Sequence, residues 1–224
     1  MNNTKKKSPI SWVPTAYFAM GLPFVVLNMV TVLMFKGLEV DDKLITFWTS
    51  LILLPWTLKP LWSPFLELFR TKKFFVIVTQ LITGVTFGLV AFALNLSHFF
   101  SISIALLAIV AFSGATHDIA CDGVYMSELS NEDQAKFIGW QGAFYNIAKI
   151  LAMGGLVYLA GYFIELNADA GLLTANKRAW MIILLILSVT MILLGIYHLF
   201  ALPSTQSASS KKTLRSNKEV MKEL

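Results

Sequence analysis

A histidine and two aspartates stand directly after a long apolar run, in the stretch "ATHDIACDGVYMSELSNED" at positions 115–133. His117, Asp118 and Asp122 are residue types that can carry protons, bind cations or hold a metal ion. Charged groups are costly in an apolar helix unless they face a partner or a wet cavity. What these three side chains face therefore decides what they can do, and that depends on the helix that positions them.

The composition is that of an integral membrane protein. Hydrophobic residues make up 56% of the 224 residues, charged residues only 14%, and the mean hydropathy is +0.67. Soluble domains carry about 25% charged residues. Apolar stretches of about 20 residues recur, each long enough to cross a hydrocarbon core of about 30 Å. Cys121 is the single cysteine, so a disulfide framework is excluded.

The apolar periods predict an all-α membrane protein with six transmembrane helices in one bundle. We expect a cytoplasmic N-terminus at residues 1–11, the bundle at 12–202 and a polar cytoplasmic tail at 203–224. The predicted spans are Trp12–Phe35, Lys43–Phe69, Phe74–Leu96, Phe99–Glu128, Gln134–Glu165 and Arg178–Leu202.

Lysines and arginines set the predicted orientation, because cytoplasmic loops of membrane proteins carry an excess of them. The net charge of +5 comes from short clusters between spans rather than from a basic face, which excludes nucleic acid as a partner. We therefore expect both termini in the cytoplasm. The cytoplasmic side then holds Lys5, Lys6, Lys7, Arg70, Lys72, Lys73, Lys136, Lys211, Lys212, Arg215, Lys218 and Lys222. The other side holds Lys36, Lys43, Lys177 and Arg178.

Two lysines, Lys59 and Lys149, fall inside predicted spans. At a rise of about 1.5 Å per residue, Lys59 and Asp118 each lie roughly 15 Å from the cytoplasmic ends of their helices, so they could pair. Asp118 and Asp122 are four residues apart and share one helix face. Two carboxylates so close in a low dielectric do not both ionise easily. A proton-binding carboxylate near a cavity is what a proton-coupled carrier requires, with His117 tuning its titration.

Structural interpretations stay open for the other polar residues. The Asp118–Lys59 pair could simply lock helix packing. Lys149 could reach the interface or pair, while Asn28, Gln141 and Asn146 could bond between helices or line a cavity. Tyr17 is deep enough to face a pore. The third and sixth spans carry few polar groups, which predicts that they face lipid. Close helix approach is predicted at Gly154, Gly155 and Gly161.

An enzymatic interpretation of the histidine–aspartate pair fails on geometry. A metal site needs further converging ligands, and His98 and His198 are predicted at opposite membrane faces, away from His117. Intramembrane aspartyl catalysis would place its two aspartates on different helices, whereas Asp118 and Asp122 stand on one. We therefore expect no enzyme, no metal and no cofactor.

Three blocks of this sequence resemble the AmpG-like permeases of the peptide–acetyl-coenzyme A transporter branch of the major facilitator superfamily. They are "YFAMGLPFVVL" (17–27), "LLPWTLKPLWSPFLE" (53–67) and "GATHDIACDGVYM" (114–126). The resemblance implies alternating access, a substrate site between two six-helix bundles, and proton-driven import of muropeptides. It assigns Asp118 and Asp122 to the family's paired aspartates and Lys59 to its lysine.

The chain departs from the family at the third block and in length. His117 replaces a glutamine, and Gly123, Val124 and Tyr125 stand where the family has Ala-Tyr-Arg, so a substrate-binding arginine is missing. Six spans correspond to the N-terminal half only. A truncated reading frame, a second half on another chain or a homodimer would explain the missing half, and the expected location is a bacterial inner membrane. Alternatives are a carrier of acyl-coenzyme A or another cargo, and a non-transporting membrane partner.

Overall fold

The computed structural model describes residues 7–64, 66 and 71–203. Within these ranges every regular element is helical and no β-strand occurs. Six helices are long and apolar enough to cross a membrane, which confirms the predicted number of spans. They are α1 (Pro9–Gly37), α2 (Asp42–Leu61), α3 (Lys72–Ala93), α4 (Phe99–Glu128), α5 (Asn131–Leu166) and α6 (Leu172–Ala201).

The predicted boundaries agree to different degrees. Helix α4 has the predicted bounds, and the predicted end of the second span at Phe69 lies outside the described residues. Helix α6 begins at Leu172 instead of Arg178, so the prediction placed its start too late. Its first turns are polar, and the ammonium of Lys177 there lies 5.7 Å from the ring centroid of Phe99 at the start of α4.

Two of the six helices contain π-helical turns. In α1 the turn Val26–Val30 directly follows Pro23, a residue that has no N–H to donate to the helix ladder. In α5 the turn is Leu151–Leu156, where two adjacent glycines lower the helix preference. The two π-helical turns contact each other between α1 and α5. Such turns are rare and are found frequently at functional sites.

Helix α2 begins with a side-chain cap and is broken in its second half. The Asp41 carboxylate accepts the backbone N–H groups of Lys43 and Leu44, which satisfies two of the free donors at the helix start. The α-helix ends at Ile52, and two short segments follow, Leu54–Leu58 and a 3-10 turn at Lys59–Leu61. Each short segment has a proline in its first turn, which cannot continue the preceding hydrogen-bond ladder.

Helix α3 packs against both α4 and α6 and is a central element of the bundle. In its most apolar window 56% of the residues are buried, against 22% for α2 and 17% for α5. Apolar side chains stay exposed along the remaining face of α3, among them Val85, Leu89 and Phe92, so the expectation that this span faces lipid stays a prediction. Apolar residues suit a protein core and a lipid tail equally well, so the scarcity of polar groups could not separate the two environments.

The glycines at which helices approach closely are not those predicted. A Cβ added at Gly154 or Gly161 would meet no atom within 4 Å, and one at Gly155 would touch only Leu151 of its own helix. At Gly21, in contrast, a Cβ would lie 2.7 Å from the carbonyl oxygen of Tyr145, where α1 crosses α5. A Cβ added at Gly84 would lie 2.7 Å from Ile192 of α6, and one at Gly114 would lie 2.9 Å from the Trp56 ring of α2. Helices therefore approach closely at these glycines instead of the predicted ones.

Candidate functional site

Helix α4 directs its ionisable side chains toward three different neighbours, and Asp118 reaches toward α2. The Nζ of Lys59 lies 2.7 Å from Oδ2 of Asp118, and the indole N–H of Trp56 donates to the same oxygen at 2.8 Å. The pairing of Lys59 with Asp118 that the depths predicted is confirmed. The second oxygen, Oδ1, is buried and has no hydrogen-bond partner within the described ranges.

The two donors lie about one turn apart in the second half of α2. Trp56 stands in the segment Leu54–Leu58 and Lys59 begins the 3-10 turn, and their spacing of three residues places both side chains on one face. Gly114 on α4 leaves room for the indole, because an added Cβ would lie 2.9 Å from the Trp56 ring. The pair is largely shielded from solvent, with side-chain exposures of 27% for Lys59 and 11% for Asp118. At such burial a charge without a partner is costly.

Asp122, one turn further along α4, bonds to α1. The hydroxyl of Tyr17 donates to Oδ1 of Asp122 at 2.8 Å, and the Tyr17 ring packs edge-on against Tyr125 with centroids 5.8 Å apart. Tyr17 is only 1% exposed. Asp122 is exposed to a cavity of about 450 Å³ that Lys72 also lines, between α3, α4 and the residues that follow α2. The two carboxylates thus have separate partners, a cation for Asp118 and a neutral hydroxyl for Asp122.

His117 faces the interior of the bundle, on the side of α3 and α6. Its Nε2 lies 2.9 Å from the amide nitrogen of Gln80, and the amide oxygen of Gln80 lies 2.9 Å from Nδ1 of His198. No direct bond joins His198 to His117 among the described residues, but Gln80 links the two rings, which the sequence did not predict. The bridge forms because α3 packs between α4 and α6 and presents Gln80 to both.

The remaining candidates for a cavity lining lie elsewhere. Asn28 is exposed and Gln141 half-buried, and neither bonds to another helix within the part of the chain that the structure describes. Asn146 donates to the carbonyl of Gly142 in its own helix at 2.8 Å, and within the described residues its side chain makes no hydrogen bond to another helix. Lys149 holds its ammonium 5.6 Å from the ring centroid of Tyr145. That these residues line a transport cavity stays a prediction.

Three residues that bond to these side chains were not predicted as site residues: Trp56, Gln80 and Thr15, whose hydroxyl oxygen lies 2.9 Å from Nε2 of His198. Trp56 and Thr15 each stand in an apolar segment where their polar atoms give a weak signal. Gln80 gives the strongest signal, because it is the polar residue with the longest side chain in the apolar third span. A buried amide needs partners on both its oxygen and its nitrogen. That requirement could have indicated two polar neighbours for Gln80.

The chemistry that this arrangement supports is proton binding and charge pairing. Among the described residues no three His, Cys, Asp or Glu side chains converge as metal ligands would. Comparison of the chain with protein-family models, with curated proteins and with solved structures finds no match. The geometry of the site and the resemblance of the three sequence blocks therefore carry the functional argument.

Proposed function

We propose that this chain is the N-terminal six-helix half of a proton-coupled solute carrier of the major facilitator superfamily, in AmpG-like form. The observation that carries the proposal is the pair of carboxylates one turn apart on α4, of which Asp118 binds Lys59 and Asp122 accepts a hydrogen bond from Tyr17. Ionisable groups inside a membrane bundle are costly and are found mainly where ions or substrates pass. A helix bundle that only anchors a protein in the membrane does not need such groups.

The free oxygen of Asp118 supports a proton-binding role. Both donors of α2 bind Oδ2, so Oδ1 can take a proton without displacing either. A protonated Asp118 no longer neutralises Lys59. The ammonium of Lys59 then attracts an anionic group of the solute, such as the carboxylate of a peptide. Proton binding and solute binding thereby favour each other, which is the reciprocity that a coupled carrier requires.

The proposed cargo is a muropeptide, a sugar–peptide that carries carboxylates. This choice rests on the resemblance of the three sequence blocks and on the lysine at the site. Acyl-coenzyme A is the alternative cargo of the same family branch, and its phosphates would also suit Lys59. The alternative from another class is a membrane partner that transports nothing, in which the Asp118–Lys59 pair serves packing alone.

The proposed carrier is completed by a second six-helix bundle, in the remainder of a longer protein, on another chain or as a second copy. The exposed polar side chains of α1 and α5 support this, because the amides of Asn28 and Asn146 face outward, where lipid would offer them no hydrogen-bond partner of its own. The proposed location is a bacterial inner membrane with both termini in the cytoplasm. The lysine and arginine distribution of the sequence supports that orientation.

The test is uptake by the native cells, in which any partner bundle is present. We expect Asp118→Asn, introduced at the chromosomal locus, to abolish uptake of labelled anhydromuropeptide driven by an inward proton gradient. Asp169→Asn is the matched control, because Asp169 lies exposed in the turn between α5 and α6. It should transport like the wild type. Uptake of labelled acyl-coenzyme A in the same cells separates the two cargoes.

Immunoblots of membrane fractions show whether each variant is inserted in equal amounts. Wild-type uptake by an equally abundant Asp118→Asn variant would remove Asp118 from the mechanism and favour the non-transporting partner.

A further inference from the structure

Four polar side chains from four helices form a continuous chain of hydrogen bonds through the bundle. Thr15 Oγ1 lies 2.9 Å from Nε2 of His198, Nδ1 of His198 lies 2.9 Å from Oε1 of Gln80, and Nε2 of Gln80 lies 2.9 Å from Nε2 of His117. His198 and Gln80 are 0% exposed and His117 is 2% exposed. We call these four residues the histidine–glutamine chain.

The amide in the middle dictates where the hydrogens of both imidazoles lie, because it has one accepting end and one donating end. Its oxygen faces His198, so Nδ1 of His198 must carry a hydrogen. Its nitrogen faces His117, so Nε2 of His117 must be bare. A neutral His117 then carries its hydrogen on Nδ1, as a neutral His198 does. The bare Nε2 of His198 accepts the hydroxyl hydrogen of Thr15.

If the oxygen and the nitrogen of the Gln80 amide exchange places, every hydrogen bond of the chain reverses its direction, but the two histidines still share one tautomer. The amide oxygen then accepts from Nε2 of His117, and the amide nitrogen donates to a bare Nδ1 of His198. His198 now carries its hydrogen on Nε2 and donates to Thr15, whose hydroxyl donates to the carbonyl of Trp12, 3.2 Å away. In both orientations the two neutral histidines carry the hydrogen on the same ring nitrogen. Different tautomers would bring two donors or two acceptors together at one end of Gln80.

Protonation of one histidine is restricted in the same way. An imidazolium at His117 donates from Nε2 and therefore requires the amide oxygen, which leaves the amide nitrogen for a bare nitrogen of His198. An imidazolium at His198 requires the amide oxygen as well. Because the amide has a single oxygen, only one of the two histidines can be charged while the chain of bonds is intact.

The charged and titratable groups around the chain come from several helices. Asp118 follows His117 directly on α4. Lys59 on α2 and His198 on α6 interact electrostatically with the ring of His117. Lys73 at the start of α3 acts on His198. Helix α1 contributes the neutral hydroxyl of Thr15. None of these groups can replace Gln80 as the partner of both rings.

We propose that Gln80 is a positioning residue that couples His117 and His198, so that they share one tautomer when neutral and exclude each other from protonation. In the proposed carrier, a proton taken up by His117 beside Asp118 fixes the direction of the hydrogen bonds as far as Thr15 near the start of α1. This last consequence rests on the proposed function. The coupling of the two rings follows from the hydrogen-bond geometry alone and holds whether or not the chain transports a solute.

The test is ¹⁵N NMR of the protein in lipid nanodiscs, labelled at histidine and carrying His98→Gln to remove the third histidine of the sequence. Correlation with the ring carbons distinguishes Nδ1 from Nε2, and protonated and bare nitrogens have separate shifts. At neutral pH we expect both rings to show the same single tautomer. If each ring shows a mixture of tautomers, we expect the ratio to be the same in His117 and His198. On acidification the folded protein should show no more than one imidazolium per chain.

Opposite tautomers in the two rings, or two imidazolium rings in the folded protein, would overturn the proposal. Gln80→Met removes both ends of the amide, and we expect it to abolish the shared tautomer. Gln141→Met makes the same change on α5, outside the chain, and should leave the spectrum of both rings unchanged. Shared tautomers that persist in a folded Gln80→Met variant would also contradict the coupling. The wild-type spectrum decides the question even if that variant does not fold.

Discussion

Removal of the Lys59 charge should destabilise the bundle more than removal of the Asp118 charge. Lys59→Met leaves the Asp118 carboxylate, 11% exposed, with the Trp56 indole as its remaining donor. Loss of one partner from a buried ion pair costs about 3–5 kcal/mol. Because Lys59 is 27% exposed and the indole bond persists, we expect the low end, about 3 kcal/mol of unfolding free energy.

The opposite change is milder because the two side chains differ in reach. Asp118→Asn keeps an oxygen for the Trp56 indole, and the flexible, partly exposed lysine can turn its ammonium toward water. We expect a loss of about 1 kcal/mol. With both changes present no buried charge remains uncompensated. The double variant should be only about 2 kcal/mol less stable than wild type, less than the two single effects added together.

Unfolding in bicelles by a denaturing detergent, followed by far-ultraviolet circular dichroism, measures these differences. The folded helix content of each variant serves as the control. Equal effects of the two single changes, or a double variant in which they add, would refute the assignment of the pair as the partly buried counter-charges of this site.

Two further predictions concern α1 and its contacts. Tyr17→Phe removes the hydroxyl that bonds Asp122 at 2.8 Å, and we expect a loss of about 1 kcal/mol in the same unfolding assay. No change would show that water replaces the hydroxyl fully. Gly21→Ala forces a Cβ to 2.7 Å from the Tyr145 carbonyl and should cost about 1–3 kcal/mol. Gly161→Ala meets nothing within 4 Å and should be neutral or stabilising by up to about 1 kcal/mol. Equal effects at both glycines would contradict the packing of α1 on α5.

The spans and one ion pair could be predicted because their causes are local. A window of apolar residues long enough for a bilayer identifies a span whatever the rest of the chain does, and α4 has the bounds that its sequence indicates. The Lys59–Asp118 pair follows from depth along two helices, since a rise per residue converts sequence position into height. Similar depth makes this pair possible, and the packing of α2 beside α4 in the structure completes it.

The histidine–glutamine chain could not be predicted because it depends on helix neighbours. Gln80 and His198 are 118 positions apart, and nothing in the periodicity of α3 or α6 indicates that they touch. The burial of α3 against α4 and α6 could not be predicted from its composition for a related reason, because a protein core and lipid select the same apolar residues. The glycine prediction fails in the same way, since a pattern of small residues shows where helices can approach and not where they do.

The most direct test of proton coupling is proton flux in membrane vesicles from the native cells, followed with an internal pH-sensitive dye. In wild-type vesicles without an imposed gradient, we expect external anhydromuropeptide to cause internal acidification. Vesicles with Asp118→Asn should show no acidification, and those with Asp169→Asn should match wild type. Solute entry without proton movement in the wild type, or acidification that persists in Asp118→Asn, would contradict a carrier whose proton is bound on α4.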